Sequence, residues 1–220
     1  MGCAVAALAA EHGCDVVALL GEAQVGASGL TRELLAGAEV AIEFTVPSAA
    51  AANVRACLAA GVPVVSGTTG WDAERATVED EVRRSGGALL WAPNFSIGVH
   101  LFSRIAAETA RIMAQANAGF DAHLVDTHHS AKLDAPSGTA RWLAAAVGRV
   151  LGRELPVTSI RTGSVPGTHE LVFDAPFEQI TLTHTARDRK VFASGALTAA
   201  RWVAGRRGVF TLDNVLGAAE

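Results

Sequence analysis

The sequence predicts an α/β protein, a Rossmann-like, doubly wound parallel sheet joined to an α+β half. Three observations predict it. Over residues 1–96, short apolar runs alternate with Ala-rich or charged helical stretches, the pattern of parallel strands joined by helices. From about residue 97 that rhythm stops, and strand-like runs with polar alternation follow one another, as in an antiparallel sheet with one open face. The 220 residues are 50% hydrophobic and 18% charged, which excludes a disordered chain and leaves ample material for a core.

Taken in order, residues 2–12 read as a helix stopped by Gly13. Asp15–Leu20 (DVVALL) reads as a buried strand, and residues 38–45 as another. Pro47-Ser48 opens an Ala-rich helix over 49–60 that Gly61 ends. Val62–Ser66 is a strand. Residues 72–84 form a charged helix, acidic at its start and closed by Arg83-Arg84, as the helix dipole favours. Ala88–Trp91 is a short strand. A long helix over 98–117 follows, then a strand over Phe120–Thr127, a polar loop and a helix over 139–151. Strands at 157–161, 168–173 and 178–186 precede a closing helix at 195–204.

Charge and cysteine usage narrow the function classes. The net charge of −4 offers no basic excess for nucleic acid or an anionic membrane. Cys3, Cys14 and Cys57 contain no C-x-x-C pair, so a disulfide framework and a structural zinc site are not expected, and a reducing cytoplasm fits. No apolar run reaches the roughly 18 residues of a membrane span. The first basic residue is Arg32, against a secretory signal, and Ala6 stands where myristoylation wants Ser or Thr.

Chemistry concentrates at strand ends. Gly67-Thr68-Thr69-Gly70 follows a strand directly, where backbone amides and hydroxyls can meet a phosphate or ring, although an ordinary strand-to-helix turn looks the same. Phe44-Thr45 and Ala92-Pro93-Asn94-Phe95-Ser96 end two more strands and would line the same crevice; Phe95 also reads as core and Asn94 as a helix cap. The richest segment holds Asp126, His128, His129, Lys132, Asp134, Ser137, Gly138 and Thr139. A histidine can act as a general acid, a lysine supplies positive charge, and a Ser-Gly-Thr helix start holds a carboxylate. An acidic small substrate is the expectation. A capped loop with surface histidines is the plain alternative. A metal site lacks a visible third ligand, and no G-x-S-x-G marks a hydrolase. Residues 161–169 and 184–189 read as Gly- and Arg-bearing loops, and the four tryptophans as core or interface.

These motifs resemble those of the dihydrodipicolinate reductase family. The resemblance is carried by Glu43-Phe44-Thr45 with Pro47, GTTG at 67–70, APNFS at 92–96 with Gly98-Val99, and above all THHSAKLDAPSGTA at 127–140. Downstream, Arg161, Gly163, Gly167, His169, His184 and Gly195-Ala196-Leu197 also fit, so it covers essentially the whole chain. It implies a dinucleotide domain over 1–96 with 197–220, and a substrate and oligomerisation domain over 97–196 that builds a homotetramer. It implies NADH or NADPH as cofactor and a dicarboxylate as substrate. Residue by residue, it implies His128 and Lys132 as catalytic, and His129, Ser137, Gly138 and Thr139 as substrate-binding. Gly2, Phe44, Thr45, Gly67, Thr68, Thr69, Ala92, Pro93, Asn94 and Phe95 match cofactor positions, with no metal.

Three departures stand out. The family opens with a strand and a G-x-x-G-x-M-G loop, of which Met1-Gly2 resembles only the end. A start codon assigned too late accounts for this better than a fragment or a damaged domain, because a central strand carrying the phosphate loop is hard to lose. The acidic residue usual after the second strand is replaced by Gly21 and then Glu22, which leaves both NADH and NADPH as candidates. Asp126 stands where the family more often has Glu. The rival expectations are a non-catalytic, cofactor-deficient homologue serving as a binding or assembly protein, and a reductase of another small dicarboxylate.

Overall fold

Strand pairing divides the chain into two compact units. The computed structural model describes residues 1–26, 29–35, 37–116 and 118–217. Met1–Ser96 with the chain from Lys190 onward forms the first unit, and Ile97–Arg189 the second.

The first unit is built on a parallel sheet of β1 (Ala41–Glu43), β2 (Val64–Ser66), β3 (Ala88–Trp91) and β8 (Gly208–Phe210), in that spatial order. These strands are short and apolar because helices cover them: Val64, Val65, Leu89 and Leu90 are wholly buried. α2 (Glu22–Val25) is a single turn, and α3 (Pro47–Ala60) and α4 (Asp72–Ser85) pack Val54, Val78 and Val82 into one cluster with Val64 and Leu89. α1 (Gly2–Leu8) and α7 (Lys190–Val203) meet through Val5, Ala9, Ala193 and Leu197. Each buried valine or leucine among these contributes roughly 1.5–3 kcal/mol of burial.

The helices expected over 49–60 and 72–84 and the strands over 62–66 and 88–91 lie within two residues of those limits, whereas β1 begins three residues after 38 and α1 ends at Leu8, a separate 3-10 turn covering Ala10–His12. Asp15–Leu20 forms no strand, and Val16, Val17 and Leu19 are 50%, 62% and 56% exposed. An apolar run becomes a strand only where a neighbour takes its hydrogen bonds, and none pairs with it among the described residues; the outer edge of β1 is open too. The first unit also regains the chain at Lys190 rather than 197, because α7 is one unbroken helix whose buried side, from Ala193 to Val203, packs on α1 and the first sheet. β8 carries no signal in the sequence, being three residues long and directly after the Gly205-Arg206-Arg207 turn.

The second unit carries a mixed sheet ordered β5 (Val157–Arg161), β4 (Asp121–His128), β6 (Gly167–Ala175), β7 (Glu178–Ala186). β4 runs parallel to β5 and antiparallel to β6, and β6 and β7 form a hairpin. α5 (Ile97–Ala116) and α6 (Gly138–Leu151) cover one face, burying Phe102, Ala106, Leu143 and Val147 against Leu124, Leu171 and Phe173. The other face stays open and carries Ile160 exposed beside the threonines of β7, Thr181, Thr183 and Thr185. In β4 buried and half-buried residues alternate, so Ala122, Leu124, Asp126 and His128 share the covered face. The first two are core. The last two put polar groups on the same face, and there the chemistry begins.

Candidate active site

Two groups of residues come together, one in each unit. In the first, Glu43, Ser66 and Trp91 are in register, so the chain leaves β1, β2 and β3 at one level. Phe44-Thr45, Gly67-Thr68-Thr69 and Ala92 to Phe95 therefore emerge side by side at the carboxyl edge, where open parallel sheets hold ligands. A side chain at position 67 would place its Cβ 2.0 Å from the Phe44 ring, so only glycine lets that ring lie across the turn. Phe44 packs edge-on against the buried Phe95, with ring centroids 5.8 Å apart. The Thr68 carbonyl accepts hydrogen bonds from the Trp71 and Trp91 indoles, at 2.8 and 3.1 Å. Thr69 and Pro93 are exposed, and Asn94 accepts the Ser96 N–H at 2.7 Å. Gly2 opens α1, whose Val5 and Ala9 share a cluster with Ile42 and Phe44. A Gly turn with an aromatic ring across it, beside two other strand ends, suits a nucleotide's ring and phosphates.

In the second unit the hub is Asp126, which has no solvent exposure. Its carboxylate accepts from the Ser137 N–H at 2.9 Å, the Ser137 hydroxyl at 2.8 Å, the Ser159 hydroxyl at 3.3 Å and the Arg161 guanidinium at 2.9 Å. His169 Nε2 lies 3.4 Å away. Burial alone would raise the Asp126 pKa; the hydrogen bonds from His169, Ser137 and Arg161 overcome it and hold the group far below the usual carboxylate range. Strand register explains the gathering. Asp126 pairs across with Ser159 and His169, and His128 with Arg161.

His128 Nδ1 sits 3.0 Å from Asp126 Oδ1, at an angle that leaves it without a hydrogen bond. Burial, reinforced by the positive charges of Lys132 and Arg161 and opposed by Asp126, brings its pKa down to about 4. A Cβ at Gly167 would lie 3.0 Å from His128 Nε2, so glycine leaves that nitrogen open space. His184 is also lowered, chiefly by burial. Lys132 Nζ binds Asp134 Oδ1 at 2.6 Å, and the Gly138 N–H reaches the same carboxyl; Lys132 first among these holds Asp134 below its ordinary value. Arg161 also donates to the Asp134 carbonyl, at 2.6 Å, tying the 129–137 loop to β5.

Of the residues expected to touch substrate, Gly138 and Thr139 begin α6, and half-buried His129 starts the loop. Ser137 is turned inward: it caps α6 through the Ala140 N–H and spends its own hydrogens on Asp126. Arg161 and His169, which the sequence shows only as members of loops, belong to β5 and β6 and complete the Asp126 cluster. The sequence showed no third metal ligand, yet the fold brings atoms of Asp126, His128 and His169 within 4.8 Å of one another. The Arg161 guanidinium already occupies Asp126 and would face any divalent ion there. The donor set therefore suits an acid–base cluster better than a metal.

Comparison with known proteins agrees on both halves. The family model "Dihydrodipicolinate reductase, N-terminus" matches residues 1–95, and "Dihydrodipicolinate reductase, C-terminus" matches residues 98–216. A 4-hydroxy-tetrahydrodipicolinate reductase of Thiobacillus denitrificans is 37% identical over 250 residues, covering 96% of this chain and 92% of its own. One of Rhodopseudomonas palustris is 40% identical over 208 residues, covering 85% and 75%. Among solved structures, a dipicolinate-bound dihydrodipicolinate reductase from Paenisporosarcina sp. TG-14 superposes with a TM-score of 0.62 at 26% identity, over 80% of this chain and 73% of that one. On these matches the chain belongs to the dihydrodipicolinate reductase family.

Proposed function

We propose that this chain reduces 4-hydroxy-tetrahydrodipicolinate to tetrahydrodipicolinate with NADH or NADPH, a step of lysine and diaminopimelate biosynthesis. The first unit binds the cofactor and the second takes the substrate. The observation that carries this reading is the carboxylate already gripped at the start of α6. Lys132 Nζ and the Gly138 N–H converge on Asp134, the arrangement a substrate carboxylate would meet. Catalysis rests on His128 and Lys132, and His129, Gly138 and Thr139 complete the carboxylate site, with Ser137 as the cap that aims the helix.

The nicotinamide supplies a hydride. The chain's own part is to hold the dianion and manage a proton. In the free site His128 is neutral at pH 7, since its pKa is lowered to about 4 by burial and by neighbouring positive charge. A bound dicarboxylate offsets Lys132 and Arg161, so substrate binding favours the imidazolium and readies a proton at His128. Asp126, 3.0 Å from Nδ1, and the His169 ring, edge-on at 5.4 Å, flank the His128 ring.

A spectrophotometric assay of NADH and NADPH oxidation tests the reading, with substrate generated in place. Oxidation that depends on this substrate supports it. Cofactor binding without turnover would favour a binding or assembly role, and turnover only with another dicarboxylate would change the substrate. We infer further that the chain works as a homotetramer in the cytoplasm. The open face of the second sheet, with Ile160 exposed on it, supports assembly, and light scattering should give about four times the 22.6 kDa chain mass. No helix among the described residues is long and apolar enough to cross a membrane.

A further inference from the structure

We propose that Glu43 is a positioning residue for cofactor binding: it holds Thr45 and Thr68 so that the Gly67–Thr69 turn is set before the nucleotide arrives. The proposal rests on the reading of that turn as part of the cofactor site. Glu43 is 7% exposed at the end of β1. Its carboxylate accepts from the Thr45 N–H at 3.0 Å, the Ser66 hydroxyl at 2.6 Å, the Thr68 hydroxyl at 2.8 Å and, in a short contact, the Thr45 hydroxyl. Among the described residues no positive side chain pairs with it, unlike Asp126. Four neutral donors from two strand ends converge on one acceptor.

The directions of these bonds decide what the turn can offer. A carboxylate only accepts, so the hydroxyl hydrogens of Thr45 and Thr68 point at Glu43. Thr68 Oγ1 in turn accepts the Thr45 N–H at 2.8 Å, and Thr45 Oγ1 accepts from Asn53 at 3.3 Å. Neither threonine has a hydrogen left for a phosphate. The Thr68 carbonyl is pinned by the two indoles, and in a trans peptide the next N–H points the opposite way. The Thr69 N–H is thus aimed by groups that never touch the ligand, and it donates to nothing among the described residues. Backbone amides and the Phe44 ring, rather than threonine hydroxyls, are what this turn presents.

Glu43→Gln keeps the shape but replaces one acceptor oxygen with an NH2 that meets donors. Calorimetric titration of NADH and NADPH, with steady-state kinetics, reads the effect. The expected result is a cofactor Kd and KM raised about tenfold or more, as for loss of hydrogen bonds to a charged group. The dicarboxylate KM and the kcat at saturating cofactor should stay within about threefold of wild type, because these bonds act on cofactor binding alone. Thr68→Val, which removes only the hydroxyl link, should raise the same Kd, and the double variant should be no worse than the poorer single one. Should Glu43→Gln fail to fold, Thr68→Val alone decides. Unchanged cofactor affinity in folded Glu43→Gln or in Thr68→Val, or fully additive losses, would overturn the positioning role while leaving the cofactor reading intact. Failure of the wild type to bind either nucleotide would instead remove the cofactor reading.

Discussion

The two units each bury a carboxylate at the end of a strand, and the surroundings differ. Glu43 collects hydrogens from Thr45, Ser66 and Thr68, all neutral. Asp126 collects a guanidinium, two serines and two imidazoles. The first arrangement fixes geometry through neutral donors. The second couples charges, and burial, with the nearby positive charges and against the pull of Asp126, lowers His128 to about 4. One hub shapes a turn; the other sets protonation. The difference fits a chain in which one unit binds a cofactor and the other handles the proton.

The largest effect should come from Lys132→Ala. Turnover is expected to fall by at least about a hundredfold, the low end of what a proton-handling group contributes. Cofactor affinity should stay put, and turnover within tenfold of wild type would remove the assigned role. Next is Asp126→Asn, which leaves the Arg161 guanidinium without its buried partner. Urea unfolding should show a loss of about 3 kcal/mol, the cost of breaking a buried ion pair. Loss of less than about a third of that would mean the Asp126 hub is not a charge-coupled one.

Acid sharpens the contrast further. The folded pKa of His128, about 4, lies below its ordinary 6.5. Between those values the unfolded chain binds more protons than the folded one, so stability is lost as pH falls through the window. The loss is about 3 kcal/mol once pH reaches 4 and levels off below it. Asp126, lowered from 3.8, adds its own loss only below its ordinary range. Stability measured from pH 7 to 4 should therefore slope downward, and His128→Asn should flatten the slope; parallel slopes would contradict it. The smallest effect is that of Asp134→Asn. Removing the internal carboxylate that occupies Lys132 and Gly138 should lower the substrate KM by about threefold, the scale of a partly exposed ion pair. A raised KM would show that Asp134 helps hold substrate rather than compete with it.

Much of this was legible because it is local. The run from Asp126 to Thr139 carries acid, base, cation and helix cap within one stretch of chain, and spacing alone marks it. The turns at Phe44, Gly67 and Ala92 were legible because each directly follows an apolar run. What stayed hidden depends on partners distant in sequence. Arg161 and His169 join Asp126 only through the register of β5 and β6 on β4. Glu43 looks like a strand terminus until Thr68, 25 residues on, closes over it. Ser137 reads as a ligand for a carboxylate, and the carboxylate it meets within the fold is Asp126. Asp15–Leu20 has the composition of a buried strand, and pairing, which composition does not supply, is what it lacks.

The most direct test is a pair of calorimetric titrations, dipicolinate and NADH, into the wild type and Lys132→Ala. Wild type should bind both, and Lys132→Ala should lose dipicolinate affinity by about tenfold or more, as expected for a charged hydrogen bond, while NADH binds unchanged. Equal dipicolinate affinity in both proteins, or a parallel loss of both ligands, would contradict a second unit that grips the dicarboxylate through Lys132.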